Sequence, residues 1–556
     1  MRNKLRRWQD DAITKAMSWF HANTGAAAQR FLINAAPGAG KTICSIALAQ
    51  QLIEKGLIDR VIVIAPRIQV VKQWGEDFKA LTGRHMGKVE ASATFLSSLG
   101  FDLCLTWNSV EGLEPELQAI CSSHKVLVIC DEHHHAAVDA VWGSATSSAF
   151  NNAAYRLLLT GTPMRSDGEA SVWLAHDSRG RIDQPADGTY TLSYGEAVEL
   201  GYCRPITCHR HQGEFHVDVA GETVVVRGDR EAIFSDEVAR VPNIAQTLDF
   251  FRLATTPQYE ADGLTPKFGS YQESMVVEAS AKLDDIRQEM PNAGGLVIAQ
   301  SIEWAEIYAK LIERIEGERP FVVHSQSANS DSLIDAFRGS DKRWIVSVNM
   351  ISEGVDIKRL RVLVYLPYAQ TELAFRQAVG RVVRSMGAND MSRAYMVMPA
   401  YRTFEEYARR VEGEMPASAS LQNTKRTTKV CPSCEGENAL GNSTCDFCGH
   451  EFPARRPPAI ACRECETLNS VQAKTCMGCG ASLEAVIEMS LKEALRSGAI
   501  VRGLDLTEDE VQEAERIAPS VKRALLASGD ETLISVVKRL PPESFVRLRN
   551  IMGGSA

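Results

Sequence analysis

Residues 127–135 read LVICDEHHH, a strand-sized apolar run that breaks at once into two carboxylates and three histidines. Two chemistries fit such a break: a metal cluster, or the magnesium end of a nucleotide site. Three consecutive histidines cannot all face one ion from regular backbone, and the spacing of zinc ligands is absent here. Upstream, residues 31–50 read FLINAAPGAGKTICSIALAQ: an apolar strand, a Pro/Gly turn, then small and apolar residues at helical spacing. A turn of this kind opening a helix cradles phosphate. Along Pro37-Gly38-Ala39-Gly40 the two glycines let backbone N–H groups approach phosphate oxygens. Lys41 can reach the β- and γ-phosphates, and the Thr42 hydroxyl can hold Mg2+. Ala35 stands where the GxxxxGK[ST] pattern has its first glycine. With a phosphate loop in the chain, Asp131 reads as a second magnesium ligand and Glu132 as the group that orients or deprotonates an attacking water.

A third group lies far downstream, in ELAFRQAVGRVVRS at 372–385. Gln377, Arg381 and Arg384 fall at i, i+4 and i+7, which predicts one helical face, with Gly380 permitting close approach. Two guanidiniums aimed at a γ-phosphate stabilise charge in the transition state. The flanking residues are too apolar for a wholly solvated helix. Hydrolysis then requires two separate parts of the chain to close on one nucleotide.

The elements that position these groups read as parallel α/β units. Val126–Cys130 ends at Asp131, and carboxylates at the C-terminal end of a buried strand sit where such sheets bind ligands. Here a resemblance becomes specific: Asp131-Glu132-His133-His134 resembles the DExH box of superfamily 2 helicases and translocases, and further motifs of that family follow in its order. Gln9, in LRRWQDDAI, matches the glutamine that reads adenine. VIVIAPRIQVVKQW (61–74) resembles motif Ia, LTWNSV (105–110) the threonine-bearing strand that touches nucleic acid, and LLLTGTPMRSD (157–167) motif III. RWIVSVNMISEGVDI (343–357) and the arginine helix resemble motifs V and VI. Pro66, Arg67, Thr106, Thr160 and Thr162 are thereby implied in nucleic-acid contact, and Gly354 and Asp356 in linking the nucleotide to it. The fold this implies is α/β: two tandem RecA-like parallel-sheet motor domains, plus two small zinc ribbons and a helical C-terminal tail. Contacts of this kind go to phosphates more than to bases, so little sequence preference is expected.

The ribbons come from cysteine spacing. Eight of the 14 cysteines lie between 431 and 479, as Cys431-x2-Cys434-x10-Cys445-x2-Cys448 and, 31 residues on, Cys462-x2-Cys465-x10-Cys476-x2-Cys479. Four thiolates in two CxxC knuckles satisfy tetrahedral zinc with no position left for water, so each unit reads as a structural site. Units this small do not fold without a metal. Lys425, Arg426, Lys429, Arg455 and Arg456 nearby are compatible with nucleic-acid contact, and protein docking fits equally.

Composition narrows the class. At 45% apolar and 24% charged residues, with apolar runs far short of a membrane span, the chain reads as an ordinary soluble protein. No secretory h-region follows MRNKLRRWQDD, so a cytoplasmic location is expected. The net charge of −9 does not announce nucleic acid, though a local basic channel matters more than the sum. The expected domains are a first motor domain, 1–205; an accessory insertion, 206–285, with a hairpin in FHVDVAGETVVVRGD (215–229); a second motor domain, 286–412; a linker, 413–430; ribbons at 431–452 and 462–482; and a helical tail, 483–556, with a capping box at Thr507 to Glu510.

Together these predict an ATP- and Mg2+-dependent helicase or translocase with two structural Zn2+. DNA is preferred over RNA as its track, in replication, recombination or repair, with a phage or mobile element as its context. Protein partners are expected through the ribbons or tail. The alternatives are an RNA helicase, the motor subunit of a restriction or defence nuclease complex, and a non-catalytic ATP-binding adaptor. The last is disfavoured because Lys41, Glu132 and Arg384 are all present.

Overall fold

The computed structural model describes residues 5–23, 29–89, 96, 101–133, 146–161, 173–176, 182–183, 188–219, 221–239, 248–258, 265–267, 269–324, 329–348, 357–366, 370–386, 390, 392–416, 428–434, 436–452, 459–462, 465, 467–470, 473, 475–481, 483 and 485–490. His134, His135, Thr162, Gly354 and Asp356 therefore lie outside the described residues, as does the tail beyond Ser490.

Two parallel sheets organise the chain. The first has seven strands in the spatial order Met86–Lys88, Asp102–Thr106, Arg60–Ala65, Val126–Cys130, Tyr155–Thr160, Arg30–Ala35 and Thr189–Leu192. Every pairing in it is parallel. Val126–Cys130 and Arg60–Ala65 are buried along their whole length, as expected of strands covered by helices on both faces. The covering helices follow from their own patterns. Ile68–Thr82, for example, buries Val70, Val71, Trp74 and Phe78, one stripe at helical spacing, and ends at Gly83 with φ +73°.

The second sheet runs Ile206–His211, Ala394–Pro399, Leu360–Tyr365, Gly294–Ala299, Trp344–Val348 and Phe321–Val323, again all parallel. Helices Tyr271–Glu289 and Ile302–Glu316 pack against it. The start expected for the second domain at 286 is thus corrected, while the end of the first at 205 is not moved. Ile206–His211 pairs with Ala394–Pro399 and is the edge of the second parallel sheet, its Ile206 and Cys208 buried, and Tyr271–Glu289 is a covering helix of that domain. Between them the hairpin forms as expected, Gly213–Val219 antiparallel to Glu222–Arg227, turning at Gly221 with φ +89°.

A second correction concerns the start of the tail. Ala485–Ser490 is a strand, not a helix, and pairs in parallel with Gly213–Val219. Alternation explains it: Ile487 and Met489 enter the apolar cluster of Phe215, Val217 and Tyr271 at a period of two residues. The ribbons stand between, each with a short antiparallel pair, Thr428–Val430 with Glu437–Ala439 and Ala459–Ala461 with Leu468–Ser470. No described helix is long and apolar enough to cross a membrane.

Candidate functional site

The phosphate loop leaves the buried strand Arg30–Ala35 and enters helix Lys41–Glu54. Gly38 (φ +80°) and Gly40 (φ +97°, capping the helix) occupy the left-handed region, where a side chain is strained. The Lys41 ammonium donates to the Ala35 carbonyl at 3.0 Å. The substituted first position of the pattern therefore still supplies a backbone acceptor. Around the loop, helix Arg7–Ala22 acts as a clamp: the Arg6 guanidinium and the Trp8 indole donate to the Ala39 carbonyl, at 2.8 and 3.2 Å. Gln9 is buried, its amide donating to the Gly40 carbonyl at 2.9 Å and accepting from the Arg6 N–H at 2.8 Å. One end of that amide fastens the loop and the other caps Gln9's own helix, so both ends are engaged.

The C-terminal strand ends converge beside the loop. Asp131 follows Val126–Cys130, with Thr160 closing the next strand and Pro66-Arg67 and Thr106 ending two more. Arg67 caps helix Ile68–Thr82, and the Thr106 hydroxyl bonds Ser109 at 2.9 Å. Asp131 is buried, and its carboxylate accepts from the Trp74 indole at 2.8 Å and from the Glu132 N–H at 3.1 Å. Its carbonyl accepts from the Trp107 indole at 3.2 Å. Burial, and after it the charge of Glu132, push the Asp131 carboxyl up to about 6, against the Trp74 bond and the nearby Lys41 ammonium. Glu132 sits at φ +48°, a conformation disfavoured for a residue with a side chain and concentrated at functional sites. His133 is buried and stacks on Trp173 with centroids 6.2 Å apart.

Gly161, after Thr160, explains why a glycine stands there. A Cβ at that position would meet the Lys41 ammonium at 2.8 Å and the Ala35 carbonyl at 3.3 Å.

The arginine segment of the second sheet reaches the same loop. Helix Glu372–Val382 places Gly380 against Pro37, where an added Cβ would lie 2.7 Å from the proline Cβ. Gln377 and Arg381 are buried on this helix. Arg384, expected on the same helical face, lies past the helix end: Val383 is the cap, and Arg384 forms an antiparallel bridge with Cys203. The Arg204 N–H donating to the Val383 carbonyl at 2.7 Å takes the chain out of helical geometry. Its new course still lays the Arg384 stem over the phosphate loop, with Cγ 2.8 Å from where a Gly38 Cβ would be. The Cys203 thiol donates to the Pro37 carbonyl at 3.2 Å in the same contact. Arg6, Trp8, Trp74, Trp107, Cys203 and Gly161 were not singled out by sequence. The tryptophans alone carried a signal, since a buried indole needs an acceptor.

In the ribbons the four thiols of each unit lie within 4.8 Å of one another, a donor set that fits tetrahedral zinc. Sulfur pairs stand at 3.7 and 3.6 Å in the first unit and at 3.6 and 3.5 Å in the second. Asn438 and Asn469, at equivalent places, donate to Cys445 and Cys476 at 3.4 and 3.5 Å. The Cys479 N–H is the largest influence on Cys476; with Gly478 and Asn469 it lowers that thiol to about 6 against desolvation, while Cys479 itself is raised, its Ala481 N–H bond outweighed by Cys465 and Cys462.

Residues 2–165 match the family model of the type III restriction enzyme res subunit, and residues 279–386 that of the helicase conserved C-terminal domain. A protein of Mycobacterium tuberculosis (strain ATCC 25618 / H37Rv), named only as uncharacterized, is 32% identical over 385 residues, 68% of this chain and 59% of that one. One of Mycobacterium leprae (strain TN), named likewise, is 31% identical over 386 residues, 68% of this chain and 60% of that one. The chain thus spans about three-fifths of the length of these relatives. Among solved structures, the ATP-dependent type ISP restriction-modification enzyme LlaBIII bound to DNA is similar with a TM-score of 0.46 and 18% identity, over 74% of this chain and 30% of that one.

Proposed function

We propose that this chain, whose residues 2–165 and 279–386 match the restriction-subunit and helicase C-terminal family models, is an ATP-dependent motor of helicase superfamily 2 that translocates along or unwinds DNA, in replication, recombination or repair. In this reading the backbone of Pro37 to Gly40 and Lys41 hold the ATP phosphates, and Gln9 reads the adenine once its own bonds open. Thr42 and Asp131 would hold Mg2+, which supplies positive charge against the phosphate oxygens when bound and relieves the buried carboxylate of its unfavourable charge. Glu132 orients or deprotonates the water. Arg381 and Arg384 bring charge from the second domain and Gln377 a neutral amide beside them, and Gly354 and Asp356 link the nucleotide to the strand. Pro66, Arg67, Thr106, Thr160 and Thr162 line the track, and each ribbon holds one Zn2+.

The observation that carries this reading is the seating of Arg384 on Gly38 and of Gly380 on Pro37. An arginine-bearing segment of one parallel-sheet domain packed on the phosphate loop of another makes closure of the two domains the condition for hydrolysis. The test is ATP turnover with no nucleic acid, single-stranded DNA, duplex DNA and matched RNA at fixed salt, since affinity falls steeply with salt. Stimulation by DNA above RNA supports the reading, and RNA above DNA would replace the track. Full turnover in Lys41→Ala or Glu132→Gln would remove the assignment of the site.

A further inference from the structure

The two tryptophans at Asp131 belong to the two elements that begin at the proposed track. Trp74 lies on helix Ile68–Thr82, which starts directly after Pro66-Arg67, and Trp107 follows Thr106 at once. Both rings are buried, at 1% and 2% exposure, and both indole N–H groups end on the same residue, one on the carboxylate and one on the carbonyl of Asp131. An indole is a donor only, so each bond has a fixed sense. Together they define where the Asp131 carboxylate points: Trp74 takes Oδ2, the Glu132 N–H lies on Oδ1, and the Trp107 bond holds the peptide from the other side. Close packing of Trp74 with Val70, Val71 and Phe78 in one apolar cluster makes this part of the helix move as a unit with its capped start.

We propose that Trp74 and Trp107 are positioning residues that couple a strand bound at Pro66-Arg67 and Thr106 to the orientation of the Asp131 carboxylate, so that track occupancy sets the rate of ATP hydrolysis. Movement of the helix start or of the Thr106 turn is carried through one hydrogen bond each to the group read as a magnesium ligand. No chain of intermediates is needed, because each element touches the strand at one end and Asp131 at the other. This rests on the reading of that strand edge as the nucleic-acid track.

The test uses the full chain and a single-stranded oligodeoxythymidylate as probe. ATPase kcat and KM are measured with and without saturating probe, and probe affinity by fluorescence anisotropy, for the wild type, Trp74→Phe and Trp107→Phe. A bond to a carboxylate is of the charge-assisted kind, so Trp74→Phe is expected to lower the ratio of stimulated to unstimulated kcat by about tenfold or more. KM and probe affinity are expected to stay within about twofold, a split that loss of folding or of binding does not produce. Trp107→Phe, acting on a neutral carbonyl, shifts the ratio in the same direction by less. Should Trp74→Phe fold poorly, the benzothiophene isostere of tryptophan, incorporated at residue 74, removes only the N–H. If the wild type is stimulated by the probe and either replacement at 74 is stimulated in the same ratio, the coupling is overturned while the track reading stands. Wild-type turnover that no strand stimulates overturns the track reading and the coupling with it.

Discussion

Gly380→Ala separates local stability from function with opposite signs. The residue lies buried inside helix Glu372–Val382, where alanine's intrinsic helix preference over glycine is about 1 kcal/mol before packing is counted. Its Cβ, however, would stand 2.7 and 2.9 Å from two carbons of the Pro37 ring. Carbon atoms rest at about 3.5–4.0 Å, so the helix and the phosphate loop must separate by roughly 1 Å. A proline ring in a tight loop cannot rotate away, as the end of a long side chain would. Since Arg381 and Arg384 ride on the same segment, that separation moves both residues away from the loop on which the Arg384 stem is seated. A displacement of about 1 Å can lower a rate by about 100-fold. Steady-state ATPase under stimulating conditions, beside thermal unfolding, is therefore expected to show kcat falling by one to two orders of magnitude, about 10- to 100-fold, with the melting temperature unchanged or raised. Undiminished turnover would mean that the seating of Gly380 on Pro37 is not the geometry of hydrolysis, and the composite-site reading would fall with it.

Two further predictions concern metal and acid. Elemental analysis is expected to find two zinc ions per chain, and Asn438→Ala or Asn469→Ala, which leave all eight thiols in place, to weaken one site by about 10- to 100-fold in a chelator competition; a zinc count near zero or one breaks the repeat reading. Asp390 accepts from Arg204 at 2.6 Å and from Arg361 at 3.4 Å. Burial alone would raise its carboxyl, but Arg361 and Arg204, with Ser392 and the Met386 N–H, hold it well below the ordinary carboxylate value. A depressed folded pKa contributes stability that is present above the unfolded value of about 3.9 and lost as pH falls below it. Asp390→Asn is expected to cost about 3–5 kcal/mol at neutral pH, since it strands two buried guanidiniums, and to flatten the acid limb of a denaturation curve measured from pH 7 downward; an unchanged acid limb refutes the assignment.

Much of the candidate site's placement in the fold was legible because its signals are local. A glycine turn between strand and helix, a carboxylate pair at a strand end, and CxxC knuckles at a fixed repeat each declare their chemistry within about a dozen residues. The 215–229 hairpin was legible for the same reason. Periodicity failed where backbone pairing overrode it. Arg384 sits at i+7 from Gln377, yet Val383 and Arg384 leave the helix to meet Cys203 and Arg204, partners about 180 residues away in sequence whose edge offers unpaired backbone groups. Ala485–Ser490 likewise gains its strand from Gly213–Val219 and not from its own neighbours. Ile206–His211 looked like the start of an insertion because the strand beside it, Ala394–Pro399, comes so much later in the chain.

The residues missed at the site share a second cause. Gly161 acts through the atoms it lacks, so its worth is fixed by the Lys41 ammonium opposite it, just as the close approach read at Gly380 is fixed by the Pro37 ring. Trp74 follows the same logic in reverse. Its ring fills one place in an apolar stripe that periodicity reads correctly as core, while its single polar atom is directed at a carboxylate 57 residues on. Burial and function are then not alternatives for such a residue. An indole N–H inside a core must find an acceptor, and here the acceptor is a carboxylate that feels the charge of Lys41, so the packing that stabilises the helix also orients Asp131.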